Sequence, residues 1–239
     1  MSETELSHGF WRHYFIAYDV LNEVIPYQQL TDTLVNSLCV KKNENILDAG
    51  AGTCNLSVKL QSQGAIMMAL DSSEDGLNIC KLKDSSIKRV VHNLNKTLPF
   101  SNDTFDKIVS NNTVYLLDKK VRPSIFREFY RVLKPGGALV VSNIHTNFKP
   151  LEIYKKHIYE HRNKFGVLKT ILQLIGFIIP TIKIFYYNNK IKKSHKSDAE
   201  TEFLNESEQE DLMRLSGFKD ISKTVFVYAG QGILNTAKK

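Results

Sequence analysis

The sequence predicts an α/β fold in which helices cover both faces of a mainly parallel sheet. Short apolar runs alternate with amphipathic segments between residues 45 and 143, and this alternation is typical of βαβ units. A tight glycine turn, Gly50-Ala51-Gly52, follows the first apolar run. The length of 239 residues, 42% of them apolar, fits one globular domain with modest additions.

The elements follow from hydrophobic spacing and from start and stop signals. Two helices are expected within residues 9–40, before the first strand. The predicted strands lie at 45–48, 65–70, 89–92, 106–111, 138–143, 221–227 and 232–235. The predicted helices between them lie at 54–62, 73–80 and 121–133. Ser207-Glu208-Gln209-Glu210 has the pattern of a capping box and predicts the start of a last helix.

The glycine turn after the first strand is the most informative local pattern. Glycine permits a sharp turn and lets a ligand approach the backbone closely. An acid, Asp48, ends the first apolar run, and a second acid, Asp71, ends the next run about 20 residues beyond the turn. At that position nucleotide-binding βαβ units place a carboxylate on ribose hydroxyls. Asp71 also suits the start of the following helix, and the two roles are compatible.

Later segments extend the pattern with Leu98-Pro99-Phe100, with Phe105–Asn111 and with Val132-Leu133-Lys134-Pro135-Gly136-Gly137 ahead of a strand. In this order the motifs resemble the class I S-adenosylmethionine (SAM)-dependent methyltransferases, especially the ubiquinone- and menaquinone-type enzymes of the small-molecule branch. The resemblance covers Trp11 to about Ser142 and resumes over Ser207–Thr236. It implies a Rossmann-like, seven-stranded, mostly parallel sheet whose last pair of strands is antiparallel, with SAM as the cofactor.

The resemblance also implies one methyltransferase domain over residues 1–239. Its expected parts are an N-terminal helical cap (1–40), a SAM-binding core (41–146), a basic and apolar lid insert (147–200), and a C-terminal helix with a strand pair (201–239).

By the same resemblance, a set of residues at the strand ends would bind SAM. They are Tyr18, Asp48, Gly50, Ala51, Gly52, Asp71, Ser72, Asn93, Leu94 and Asn111. Two positions depart from the usual pattern. Cys54 stands where the family often has a third glycine, and Asn93 stands where an aspartate usually accepts from the adenine amine. An amide oxygen can also accept that hydrogen bond.

Methyl transfer needs a base only when the acceptor must lose a proton. Tyr115 and His145 are the candidates, because each follows a strand at the carboxyl edge of the predicted sheet. For either residue, plain packing or solvent exposure is favoured over catalysis. The other histidines show no ligand spacing, so no metal is expected.

The insert at 147–200 combines charge with apolar surface. Between Asn147 and Lys196, ten lysines and one arginine against two glutamates give a net charge of +9, whereas the whole chain has +7. Thr170–Ile182 carries no charge, and Pro180 is expected to break this apolar run. The thirteen residues of the whole run are too few to span a bilayer. The insert is expected to be a lid over an apolar acceptor. A compatible alternative is an interfacial element whose lysines, Lys190, Lys192, Lys193 and Lys196 among them, meet anionic lipid.

The cysteines and the N-terminal residues bear on the cellular location of the protein. Cys39, Cys54 and Cys80 have no paired or metal-type spacing, so they are expected to be reduced thiols in a cytosolic protein. The acidic N-terminus does not resemble a signal peptide. The sequence therefore predicts a cytoplasmic SAM-dependent methyltransferase, in peripheral contact with membrane if the insert is interfacial, that acts on a small hydrophobic or lipid-like acceptor.

Two other functions stay open. A nucleic-acid or protein methyltransferase would suit the basic charge, but the Ser110–Thr113 segment lacks the Pro-Pro-aromatic element of amino-directed DNA enzymes, which disfavours nucleic acid. Cys54 and Asn93 leave room for a catalytically silent SAM-binding or membrane-adaptor protein. The oligomeric state does not follow from the sequence.

Overall fold

The central strands are buried along almost their whole length, so both of their faces pack in the interior, as in a parallel sheet covered by helices on both sides. In this computed structural model, which describes residues 8–194 and 203–239, seven strands form one mixed sheet. The strands are β1 (Asn45–Ala49), β2 (Ile66–Asp71), β3 (Lys88–Val91), β4 (Phe105–Asn111), β5 (Leu133–Ile144), β6 (Val225–Val227) and β7 (Gly232–Lys238). The helices are α1 (His8–Tyr18), α2 (Ile25–Leu38), α3 (Asn55–Ser62), α4 (Glu74–Lys83), α5 (Arg122–Val132), α6 (Pro150–Phe165), α7 (Val167–Ser194) and α8 (Glu206–Leu215).

The strand order is β3-β2-β1-β4-β5-β7-β6. The first five strands pair in parallel, and β7 runs antiparallel between β5 and β6. This confirms the predicted Rossmann-like, seven-stranded, mostly parallel sheet. The order reverses at β1, whose neighbours are β2 and β4, and a switch point of this kind opens a crevice at the carboxyl ends of the strands.

Two apolar cores lie on opposite faces of the sheet. One contains Leu34 of α2, Leu60 of α3 and Leu77 of α4. The other contains Phe126 and Phe129 of α5 together with α8 residues. The alternation of β1 explains the arrangement, because Ile46 enters the first core and Leu47 the second.

Helix α7 departs from its predicted length. It runs for 28 residues with Pro180 inside it, so the expected break at Pro180 is wrong. A proline in a helix interior removes one hydrogen bond at a local cost of about 3 kcal/mol. Packing on both sides of the proline, through Phe177 and Tyr187, keeps the helix continuous.

The uncharged run Thr170–Ile182 is thus part of a longer helix, and the segment that contains it together with Lys169 and Lys183 reaches membrane-spanning length. Within the described part of the chain, Val167–Tyr187 of α7 is long and apolar enough to cross a membrane by length and composition, with a mean hydropathy of 1.7. Only 11% of the most apolar stretch is buried. Lys196, one of the lysines assigned to the insert, lies outside the described residues.

Two local predictions are corrected as well. Cys54, the N-cap of α3, and Cys80 of α4 have Cα atoms 5.1 Å apart and form a disulfide, and only Cys39 is a free, exposed cysteine. Helix α8 begins at Glu206, one residue before the predicted capping box. Its N-cap is Asn205, whose side chain accepts from the N–H of Glu208.

Candidate active site

The glycine turn lies at the switch point, between the end of β1 and the start of α3. Gly50 has φ +84° and Gly52 has φ +52°, a left-handed backbone that favours glycine. A Cβ built on Gly50 would collide with the side chain of Thr113. The N–H groups of Gly50 and Ala51 donate to the carbonyl of Leu70, at 2.8 and 3.0 Å. The turn is thereby fixed against the end of β2.

Asp71 ends β2 directly beside this turn. Its Oδ2 accepts from the N–H of Gly52 at 2.8 Å, and its Oδ1 accepts from the N–H of Ser73 at 2.8 Å. Burial raises the pKa of the Asp71 carboxyl, against the opposing effect of these backbone donors. The carboxylate therefore organises the turn and the start of α4, at the place where the sequence predicts the ribose contact. Ser72, next to it, is exposed.

Asp48 lies beneath the turn and not at its surface. It is 2% exposed, and its Oδ2 accepts from the hydroxyl of Ser57 in α3 at 2.6 Å. Burial raises its pKa to about 6; the Ser57 hydrogen bond acts in the opposite direction, and the negative charge of Asp71 adds to the rise. Asp48 thus ties β1 to α3 beneath the predicted cofactor site.

Helix α1 covers the turn from the other side. A Cβ built on Gly52 would be 3.8 Å from Cε1 of Phe15, and one built on Gly76 would be 3.4 Å from its Cε2. Just after α1, Asp19 Oδ1 accepts from Thr53 Oγ1 at 2.6 Å, and Asp19 Oδ2 pairs with Lys83 Nζ at 2.6 Å. The aspartate thereby connects the covering helix to α3 and α4.

The predicted adenine side of the site follows β3. Asn93 is exposed, and its Oδ1 accepts from the N–H of Asn95 at 2.9 Å, which forms a local turn. The side chain of Leu94 is 6% exposed and packs in the second core. At the end of β4, the Oδ1 of Asn111 accepts from the hydroxyl of Ser142 at 2.6 Å. These residues line the same carboxyl edge as Gly50–Gly52.

Five tyrosines converge near this edge from segments far apart in the chain. They are Tyr14 and Tyr18 of α1, Tyr27 of α2, Tyr115 after β4, and Tyr228 between β6 and β7. The rings of Tyr14 and Tyr18 stack at 5.7 Å, and those of Tyr27 and Tyr228 meet at 6.1 Å. Burial raises the pKa of each phenol, with further contributions from neighbouring tyrosines. The phenols therefore stay protonated at neutral pH.

The two predicted bases are placed very differently. The backbone N–H of Tyr115 donates to Oδ1 of the buried Asn143 at 3.1 Å, and its ring lies 5.5 Å from that of Phe203. His145 Nδ1 accepts from the N–H of Asn147 at 3.3 Å, and its Nε2 lies 2.9 Å from the carbonyl oxygen of Gly230. Both nitrogens of His145 are thus engaged by the backbone. These contacts favour a structural role for the histidine, whereas the phenol of Tyr115 stays protonated because burial raises its pKa.

Sequence reasoning missed several residues that the fold brings here, namely Tyr14, Phe15, Asp19, Tyr27 and Tyr228. Asp19 has a local signal, since it follows Tyr18 in the Tyr-Asp pair that resembles the family pattern. Phe15 and Tyr228 reach the site only through the packing of α1 and the β6–β7 turn. Two surface clefts of about 410 and 360 Å³ lie elsewhere, against α2.

The residues at the switch point fit a nucleoside cofactor. Neighbouring protein atoms leave no room for a side chain at Gly50 or Gly76, and the partly buried carboxylate of Asp71 stands at the end of the neighbouring strand. Residues 46–137 match a family described as a methyltransferase domain. These residues form a methyltransferase domain, and the chain resembles the class I SAM-dependent methyltransferases. SAM is accordingly its cofactor.

Individual proteins agree with this assignment. The chain is 29% identical to a demethylmenaquinone methyltransferase from Staphylococcus epidermidis over 69% of each chain. It is 29% identical to the enzyme of the same name from Bacillus subtilis, over 58% of this chain and 63% of that one. A solved SAM-dependent methyltransferase from Thermotoga maritima shares the fold with a TM-score of 0.60 at 17% identity, covering 97% of this chain and 98% of that one.

Proposed function

We propose that this methyltransferase transfers the methyl group of SAM to a small, hydrophobic acceptor that carries a planar ring. The observation that supports this choice is the aromatic surface beside the cofactor turn. It includes Tyr18, Tyr115 and Tyr228, with Phe203 packed on both Tyr115 and Phe148. Aromatic walls favour flat apolar rings, which stack on them or meet them edge to face. The relatives named for demethylmenaquinone support an acceptor of the quinone type.

At the cofactor end we propose the roles that the family resemblance implies, and the position of these residues along one edge of the sheet supports them. Gly50, Ala51 and Gly52 would let the backbone approach SAM, and Asp71 would hold the ribose. Asn93 and Leu94 would flank the adenine, and Asn111 and Tyr18 would face the methionine portion. SAM supplies the electrophilic methyl group when bound. The protein would contribute mainly position, since an in-line displacement depends on how the acceptor atom is aligned.

Tyr115 is the residue we propose to contact the acceptor. Its raised pKa excludes a phenolate at neutral pH, so it would orient a polar atom of the acceptor by donating a hydrogen bond. His145 would support the nearby backbone, since Gly230 and Asn147 engage its ring nitrogens. We further propose that the full chain works as one methyltransferase domain, in the cytoplasm, with peripheral access to membrane lipid.

The direct test measures formation of S-adenosylhomocysteine by the purified protein with three kinds of acceptor: a prenylated demethylquinol, a short oligonucleotide and a mixture of unfolded proteins. Turnover is expected only with the prenylated quinol, and the Tyr115→Phe variant should lower kcat without weakening SAM binding. Turnover with the oligonucleotide or the proteins would overturn the proposal in favour of the macromolecular alternative. SAM binding with no turnover on the quinol or on a lipid extract would favour a silent SAM-binding protein.

A further inference from the structure

Helix α7 carries an apolar stripe that the rest of the described protein leaves uncovered. Its members recur every three or four residues, and each is between 58% and 72% exposed: Leu168, Leu172, Ile175, Ile179, Ile182 and Phe185. This spacing puts the side chains on one face of the helix. Monomeric soluble proteins seldom expose a contiguous apolar surface of this extent, and such surfaces mark contacts with proteins or membranes.

The charge on the same region is of one sign. Between Glu160 and Asp198 the sequence contains no acidic residue. The exposed residues Lys169, Lys183 and Lys190 lie along α7, and Lys190 Nζ lies 5.0 Å above the ring of Tyr186. A second copy of this surface would bring like charges together. The complementary partner is an apolar layer with anionic groups at its boundary, which is a bilayer containing acidic lipids.

The opposite face of α7 is held by the protein. Thr170 Oγ1 is hydrogen-bonded to His161 Nδ1 of α6 at 2.8 Å, and the ring of Phe177 lies 5.5 Å from that of His157. The ring of Tyr187 contacts Phe10 at 5.1 Å and Tyr14 at 6.3 Å. If α7 crossed the bilayer, α6 would follow it, and α6 bears charged side chains such as Lys155 and Glu160 that are costly to place in hydrocarbon.

We infer that α7 lies in the plane of an anionic membrane surface, with the stripe from Leu168 to Phe185 in the lipid and Lys169, Lys183 and Lys190 at the headgroups. The inference rests on the proposed function only in naming lipid as the source of the acceptor. Through Tyr187 and Tyr14, the docked helix adjoins α1, which covers the cofactor turn. An apolar acceptor leaving the membrane would therefore enter beside the tyrosine cluster.

The test is co-sedimentation of the full chain with phosphatidylcholine vesicles, with and without phosphatidylglycerol, in the absence of SAM and acceptor. Binding is expected only with phosphatidylglycerol, and it should fall at high salt because the lysine contribution is screened. Leu172→Ser with Ile175→Ser should reduce the bound fraction at least fivefold. The matched control is Leu82→Ser with Leu215→Ser, which removes two exposed leucines from α4 and α8 and should bind like the parent. A triple variant should bind phosphatidylglycerol vesicles less tightly, and its binding should depend less on salt. It carries Lys169→Gln, Lys183→Gln and Lys190→Gln.

Three outcomes would overturn the inference. If the protein stays in the supernatant with every kind of vesicle, α7 does not bind membrane and is only a lid. Protein that resists extraction with alkaline carbonate would be a spanning protein. A dimer in sedimentation velocity that the Leu172→Ser, Ile175→Ser variant dissociates would assign the stripe to a second copy. Vesicle binding and SAM affinity are measured separately, so a protein that docks but methylates no lipid-like acceptor would contradict the proposed function alone.

Discussion

The carboxylate of Asp71 accepts a hydrogen bond from the backbone N–H of Gly52, with 2.8 Å between Oδ2 and the nitrogen. One acidic side chain at the end of β2 thus fixes the glycine turn at the end of β1. In the proposed complex the same carboxylate holds the ribose, so turn geometry and cofactor affinity depend on a single residue.

The first prediction concerns this residue. Asp71→Ala should weaken SAM binding at least tenfold, because each hydrogen bond to a charged group contributes about 1.5–3 kcal/mol. Asp71→Asn keeps one acceptor oxygen, so its affinity for SAM should lie between those of Asp71→Ala and the parent. Calorimetric titration with SAM measures the affinity, and thermal unfolding checks that the fold persists. Glu74→Gln, an exposed acid three residues away, should bind normally. Equal affinities for the parent and Asp71→Ala would refute the role of Asp71.

A second prediction separates the two effects of Cys54. This residue has φ +62°, a conformation that costs a non-glycine residue about 1–2 kcal/mol, and it forms a disulfide with Cys80, 26 positions along the chain. Under oxidising conditions Cys54→Gly should lower the free energy of unfolding by about 3 kcal/mol, because a loop constraint of this size is lost. Under reducing conditions it should raise that free energy slightly, since glycine accepts the left-handed backbone.

Cys80→Ala is the matched control for Cys54→Gly, because it loses the same disulfide without changing the turn. In reducing buffer its free energy of unfolding should therefore not exceed that of the parent. SAM affinity of reduced Cys54→Gly should equal or exceed that of the parent. If the parent unfolds at the same temperature with and without reductant, the disulfide does not contribute to stability in solution. If the glycine variant folds and binds SAM but loses turnover, the thiol has a role that packing does not explain.

The sequence predicted those parts of the site that depend on neighbouring residues. Asp48 and the Gly50–Gly52 turn follow from a strand, a turn and a helix start within eleven residues, and Asp71 follows from the next strand. Phe15 and Tyr228 could not be found this way, because long-range packing brings them to the sheet edge. The same applies to the continuity of α7, where contacts of Phe177 and Tyr187 outweigh the local preference of Pro180 to end a helix.

A third prediction uses the buried carboxyl of Asp48. Its pKa is raised to about 6 in the folded protein, mainly by burial, from about 3.9 in an unfolded chain. A raised carboxyl pKa favours the folded state below the unfolded pKa, and this contribution is lost as the pH rises through 6. Asp48→Asn can still accept from Ser57 and carries no charge. It should therefore raise the free energy of unfolding at pH 8 by about 1–3 kcal/mol.

Urea unfolding of both proteins between pH 4 and pH 8 measures this effect together with its coupling to Asp71, since all other titrating groups are shared. The difference in the free energy of unfolding should grow between about pH 4 and about pH 6 and level off above that range. A difference that does not change with pH would show that Asp48 titrates normally in the folded protein. Ser57→Ala, which removes the donor and keeps the charge, should have the opposite effect and destabilise the protein most at high pH.

The last prediction concerns the attachment of α1 to the site. Asp19 accepts from Thr53, pairs with Lys83 and follows directly on the helix that places Phe15 over Gly52. Loss of these partly buried charged contacts should weaken the packing of α1 on α3 and α4 by about 1–3 kcal/mol. Asp19→Ala should therefore speed SAM dissociation about tenfold. Stopped-flow displacement of bound SAM measures that rate, and amide hydrogen exchange across α1 should accelerate in parallel. Asp32→Ala on α2 breaks an exposed ion pair with Lys59 of α3. It should leave the dissociation rate and the exchange rate unchanged. A normal dissociation rate in Asp19→Ala, with faster exchange in α1, would mean that the helix does not retain the cofactor.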